Sequence, residues 1–112
     1  MQSSKVLKIK TESPQYLYQG PRFARLGLNS GEEFRENHLI PWLDQLSSND
    51  EGIVDFEDTK TFSPSFLEEA FGGAVRKGYG AKVGKLKFIN IEPNDWEQDI
   101  HLYIANALKR NK

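Results

Sequence analysis

The residues best suited to chemistry lie between Thr61 and Gly73, in the stretch TFSPSFLEEAFGG. Ser63 and Ser65 flank Pro64, the carboxylates Glu68 and Glu69 follow, and Gly72 and Gly73 close the stretch. Serine hydroxyls start helices as N-caps, and they also accept phosphate. Two local arrangements compete. In one, Ser63 caps and Pro64 takes the first helical position, where a missing amide proton costs nothing. In the other, Ser65 caps and Glu68 reaches back to it. A phosphate in this first turn would add a charge of about −1.5 to −2 beside the positive end of the helix. Gly72 and Gly73 each cost roughly 1 kcal/mol relative to alanine inside a helix, so something must approach closely there. That neighbour is either another element of the chain or the backbone of a partner. Ser65, Ser63, Glu68, Glu69, Gly72 and Gly73 are therefore the candidate partner-binding and phosphoacceptor residues.

Other chemistries find little support. The absence of cysteine excludes disulfides, thiolate nucleophiles and cysteine-ligated zinc. His38 and His101 fall on different helices without metal-ligand spacing, so no metal and no cofactor is expected. No phosphate-binding glycine loop or nucleophile elbow is present, and a hydrolase built on Ser65 has no histidine placed to activate it. The chain is not expected to be an enzyme. A net charge of −1 leaves no general nucleic-acid surface. No apolar run approaches the roughly 20 residues of a membrane span, and MQSSKVLKIK lacks the apolar core of a signal peptide. A cytoplasmic protein with no membrane association is the expectation. Residues 1–112 read as one domain, with polar ends (Met1–Ser4 and Lys109–Lys112) expected to fray.

The elements that must position the candidate residues follow from periodicity and caps. VLKIK (Val6–Lys10) and RFARL (Arg22–Leu26) alternate and suggest an N-terminal hairpin, with a turn between Ser13 and Pro21. Ser30 and Glu33 have capping-box spacing and open a helix through Phe34, Leu39, Trp42, Leu43 and Leu46. Pro41 should kink it or divide it near Ile40. GIVDF (Gly52–Phe56) reads as a central strand. After it comes a helix with Phe66, Leu67, Ala70, Phe71, Ala74 and Val75 on one stripe, ending near Lys77–Gly80. LKFINI (Leu86–Ile91) is a last strand. Asn94 and Glu97 open a last helix lined by Trp96, Ile100, Ile104, Ala107 and Leu108. The order β-β-α-β-α-β-α predicts an α/β sandwich with a partly parallel sheet.

The segments GPRFARLGLNSGEEFRENHLIPWL and VDFEDTKTFSPSFLEEAFGG resemble the STAS-like domain family, a bacterial group of largely unknown function. The resemblance runs from about Gly20 to Ala107, and SFLEEAFGG is its specific part. It implies the STAS fold of anti-sigma-factor antagonists: a small mixed sheet with helices packed mainly on one face. In those antagonists an Asp-Ser-Ser turn leads into a helix, and an ATP-binding anti-sigma factor acting as a kinase phosphorylates the second serine. Laid over this chain, the resemblance puts Ser65 at the phosphorylated position, Pro64 at the first serine and Ser63 at the aspartate. The implied function is regulatory protein binding, a partner switch toward an ATPase-type kinase or anti-sigma-like factor. The alternative is an immunity or antitoxin protein that blocks a toxin through Glu32, Glu33, Glu57, Asp58, Glu68 and Glu69. The sequence leaves the oligomeric state open, a homodimer included. Arg22 and Arg25 face a partner's acidic surface or, as alternating strand positions usually do, solvent. Arg35 is expected to pair with an acid one turn away.

Overall fold

The computed structural model describes residues 3–110. Three strands, β1 (Ser3–Lys8), β2 (Asp50–Asp55) and β3 (Lys87–Ile89), form a sheet in the order β1-β2-β3. Pairing Leu7 with Val54 and Val54 with Phe88 aligns three buried side chains across one face. The helices lie over this face: α1 over residues 31–43, α2 over residues 64–77, and α3 (Asp95–Arg110). On the opposite face Val6 and Ile53 are half-buried, Lys87 is exposed and Ile89 keeps 41% of its surface. The helices are thus packed on one face of a small sheet, the α/β arrangement expected of a STAS-like domain.

Both strand pairings are parallel, which corrects the expectation of a mixed sheet. The difference arises at Arg22–Leu26, which is not a strand. Ala24–Leu26 forms a tight helical turn inside a loop closed by a bond from the Gly20 amide to the Asn29 carbonyl. Alternation alone suggested a strand, but Pro21 breaks the run and Arg22 turns inward to pair with Glu68 and Glu69. β1 also begins and ends earlier than Val6–Lys10, because Ile9–Glu12 already forms a helical turn. Without the second strand the order becomes β-α-β-α-β-α, with α1 and α2 each crossing from one parallel strand to the next as such a sheet requires.

The local signals for α1 and α2 hold. Ser30 accepts a hydrogen bond from the Glu33 amide at 3.0 Å, while the Glu33 side chain turns to the Tyr16 hydroxyl instead of completing the box. Pro41 does not divide α1. The helix instead widens to a π-type turn at Arg35–Leu39, just before the residue that cannot donate to the preceding turn. Phe66, Leu67, Ala70, Phe71, Ala74 and Val75 are all buried, so α2 carries the stripe its spacing predicts. α2 stops at Gly78, whose φ of 102° lies in the region glycine tolerates best. Of the termini expected to fray, Ser3 and Ser4 belong to β1 and Lys109 and Arg110 to α3. Met1, Gln2, Asn111 and Lys112 lie outside the described residues. Among the described residues no helix is long and apolar enough to cross a membrane.

Candidate functional site

The serine-proline-serine turn resolves in favour of Ser63. Ser63 has extended backbone angles, its hydroxyl accepts from the Phe66 amide at 3.4 Å, and Pro64 opens the helix. Two further contacts hold the turn in place. The Ser63 amide donates to Gln19 Oε1 at 3.0 Å. Gly31, at the start of α1, lies so close that a Cβ there would meet the Phe66 carbonyl oxygen at 2.5 Å. Ser65 is exposed at the second helical position, and its hydroxyl has no hydrogen-bond partner among the described residues. Ser63→Ala should lower stability by about 1 kcal/mol, whereas Ser65→Ala should stay within about 0.5 kcal/mol of wild type. Urea unfolding of the two variants checks this, and equal losses would mean that Ser63 is not the cap.

The turn sits at the carboxyl edge of the sheet, where open α/β sheets meet their ligands and partners. Asp55, buried at the end of β2, accepts from Asn90 Nδ2 and from the Glu57 amide, each at 2.9 Å. This pair ties together the loops that leave β2 and β3. Between them lies an open cleft of about 420 Å³, lined in part by Phe56, Thr59, Phe62 and Asn90. Phe62 stacks on Trp96 with ring centroids 5.4 Å apart, which anchors the chain just before Ser63. Sequence reasoning did not single out Asp55. The available signal was a carboxylate inside an otherwise apolar strand, which must find donors when buried.

Glu68, Glu69, Gly72 and Gly73 belong to a charged network along α2. The Arg35 guanidinium, from α1, binds the Glu69 carboxylate, with side chains only 6% and 11% exposed. Arg35 also donates to the Glu69 carbonyl at 3.2 Å and to Glu36 at 2.7 Å. Its expected partner one turn away is thus replaced by a neighbour and by a residue on another helix. Arg22 binds Glu68 and approaches Glu69 at 3.2 Å, and Arg76 reaches Glu68 at 2.7 Å. The glycines make this geometry possible. A Cβ on Gly73 would meet Arg35 Nη1 at 2.5 Å, and one on Gly72 would meet Glu68 Oε2 at 2.6 Å and Arg76 Nη1 at 3.3 Å. Glu68 and Arg76 are two turns apart on one helix, and they join across the bare Gly72 backbone. The close neighbour that both glycines demanded is therefore the chain's own charged side chains. Burial alone would raise the Glu68 pKa, but hydrogen bonds from Arg76 and Arg22 outweigh it and hold the carboxyl below its usual range.

Most of the other charged residues singled out in the sequence are engaged locally. Glu32 accepts from the Ala24 amide, Glu33 from the Tyr16 hydroxyl, and Asp58 from Lys10 at 2.7 Å. With Glu68 and Glu69 bound by arginines, most of the acids considered as a toxin-facing patch already have partners inside the chain. Arg25 lies over the Phe23 ring, 5.3 Å from its centroid. His38 packs against Tyr16 and Phe34, and His101 lies 3.5 Å from Glu97 and packs on Phe88. Among the described residues no group of three or more His, Asp or Glu side chains is placed to hold a metal ion.

Comparison with known proteins places this geometry in a family. The model of the STAS-like domain of unknown function (DUF4325) matches residues 30–96, more than half of the 112-residue chain. The matched span starts at the Ser30 cap and contains α1, β2, α2 and β3, including both sides of the Arg35–Glu69 pair. No curated protein and no solved structure matches the chain. The chain belongs to the STAS-like domain family of unknown function.

Proposed function

We propose that this STAS-like domain is a regulatory protein-binding module that engages its partner through the amino end of α2, with Ser65 as the phosphoacceptor. The observation that carries the reading is the division of labour between the two serines. Ser63 is committed to the cap, while Ser65 stands exposed at the second position of a braced helix. Phosphate on Ser65 would lie beside the positive helix end and would reverse the local surface charge, enough to make or break a protein contact. The resemblance to anti-sigma-factor antagonists supplies the partner class, an ATPase-type kinase. An aspartate is expected at position 63 in those antagonists, and serine caps a helix about as well, so the turn survives the replacement. In this reading the domain acts by binding, without catalysis of its own, in the cytoplasm. The toxin-blocking alternative needs a free acidic surface, and the engagement of Glu32, Glu33, Asp58, Glu68 and Glu69 leaves it less support.

The test is incubation with a purified ATPase-type anti-sigma kinase and ATP, with the products read by intact-mass spectrometry. A single phosphate should appear on wild type and on Ser63→Ala, and be absent from Ser65→Ala. Unmodified wild type, or a phosphate that persists in Ser65→Ala, overturns the assignment.

A further inference from the structure

We infer that the cleft between α2 and α3 is an oxyanion site that takes a phosphoryl group. The cleft measures about 490 Å³ and is lined by Arg22, Glu68, Arg76, Tyr103, Asn106 and Arg110. Tyr103, Asn106 and Arg110 are spaced i, i+3 and i+7, so one face of α3 presents all three toward the two arginines. Three guanidiniums thus converge on a space that holds one carboxylate. Arg22 and Arg76 share that carboxylate, Glu68, and each also approaches Glu69 Oε1, at 3.2 and 3.5 Å, while Glu69 Oε2 is taken by the buried Arg35. Arg110 has no such partner among the described residues, and the Asn106 amide and the Tyr103 hydroxyl have no hydrogen-bond partner among them either. Burial, together with the charges of Asp99 and Glu68, keeps the phenol protonated and therefore a donor at neutral pH. The lining is rich in donors and poor in acceptors, which suits a ligand that only accepts.

Phosphate meets that description. Guanidinium groups bind it in a bidentate fashion, and several arginines can share its oxygens. Asp99, one turn before Tyr103 and close enough to raise its pKa, is an opposing charge that a bound anion must outweigh by engaging several arginines together. Gly72 is part of the design: any side chain there would displace the Glu68–Arg76 bridge along the wall of the cleft. The phosphoryl group comes either from a free phosphate or from a phosphorylated side chain. This site is separate from Ser65 and does not depend on that residue's role.

The experiment is an NMR titration of the full chain with inorganic phosphate, pyrophosphate and O-phosphoserine at constant ionic strength, against chloride. Saturable shifts should centre on Tyr103, Asn106, Arg110 and Arg76. Tightest binding of pyrophosphate identifies a free-phosphate ligand, and tightest binding of O-phosphoserine identifies a phosphorylated side chain. Arg110→Gln and Asn106→Asp lie on exposed positions outside the Glu68–Glu69 network, so both should fold normally. Each should weaken binding roughly five- to tenfold, in keeping with a lost hydrogen bond to a charged ligand. Ser65→Ala should bind as wild type. Shifts no larger than those with chloride, shifts centred elsewhere, or undiminished binding by both cleft variants would overturn the inference.

Discussion

Glu69→Ala should destabilise the domain by about 3 kcal/mol, a fall in Tm of roughly 12 °C for a chain of this size. The reason is what remains behind. Arg35 is buried, and removing Glu69 takes away its buried counter-charge, leaving the half-exposed Glu36 and one carbonyl in place. A buried charge stripped of its partner is far more costly than the net value of the pair. The double replacement Arg35→Met with Glu69→Leu should therefore recover most of the loss, since no buried charge is then left without a partner. Thermal and urea unfolding of both variants decide the matter. A loss below about 1 kcal/mol in Glu69→Ala would show that solvent reaches Arg35 and that the pair is a surface contact.

Phe71→Ala should be more damaging still, costing about 4–5 kcal/mol. Phe71 is fully buried on the opposite side of α2 from the charged network. Its ring lies 5.2 Å from Phe88 of β3, 6.2 Å from Phe56 at the end of β2, and 6.3 Å from Phe34 of α1. Through this one ring α2 reaches the ends of β2 and β3 and the preceding helix together. Truncation leaves a cavity and removes edge-to-face contacts that the surrounding rings cannot close up to replace. A small domain has a total stability of only about 5–15 kcal/mol, so this variant should be largely unfolded near body temperature. Phe71→Leu, which keeps most of the apolar volume, should remain folded. If Phe71→Ala unfolds cooperatively with a loss under about 2 kcal/mol, the ring is not the centre of the core.

These two residues sit in the same short motif and show why it could be read only in part. The apolar half of SFLEEAFGG was legible because helical spacing is a local property: Phe66, Leu67, Ala70 and Phe71 had to share a face wherever the helix docked. The charged half was not. Glu68 and Glu69 are adjacent in sequence and look like a solvated face, yet their partners Arg22 and Arg35 come from an earlier loop and helix. The separations are 46 residues for Arg22–Glu68 and 34 for Arg35–Glu69, beyond the reach of any spacing rule. The glycines signalled that something was close without saying what. Arg22–Leu26 misled for the complementary reason: alternation is a strand's pattern only when a neighbouring strand pairs with it, and here the segment's polar groups go to Glu32, to Glu68 and to one another instead.

Residue types and spacing were enough to place a helix start within the serine-proline-serine turn, the buried stripe of α2, its end near Lys77–Gly80, the central strand and the family resemblance. Each of these depends on chemistry within a few residues, so no distant contact is needed to read it. The packing of the elements was needed to make the sheet parallel, to commit Ser63 rather than Ser65 to the cap, and to bring Glu69 and Gly73 against Arg35. It also brought Arg22, Arg76 and Arg110 to one cleft. Those outcomes depend on which elements pack together, and packing joins residues that the chain keeps far apart.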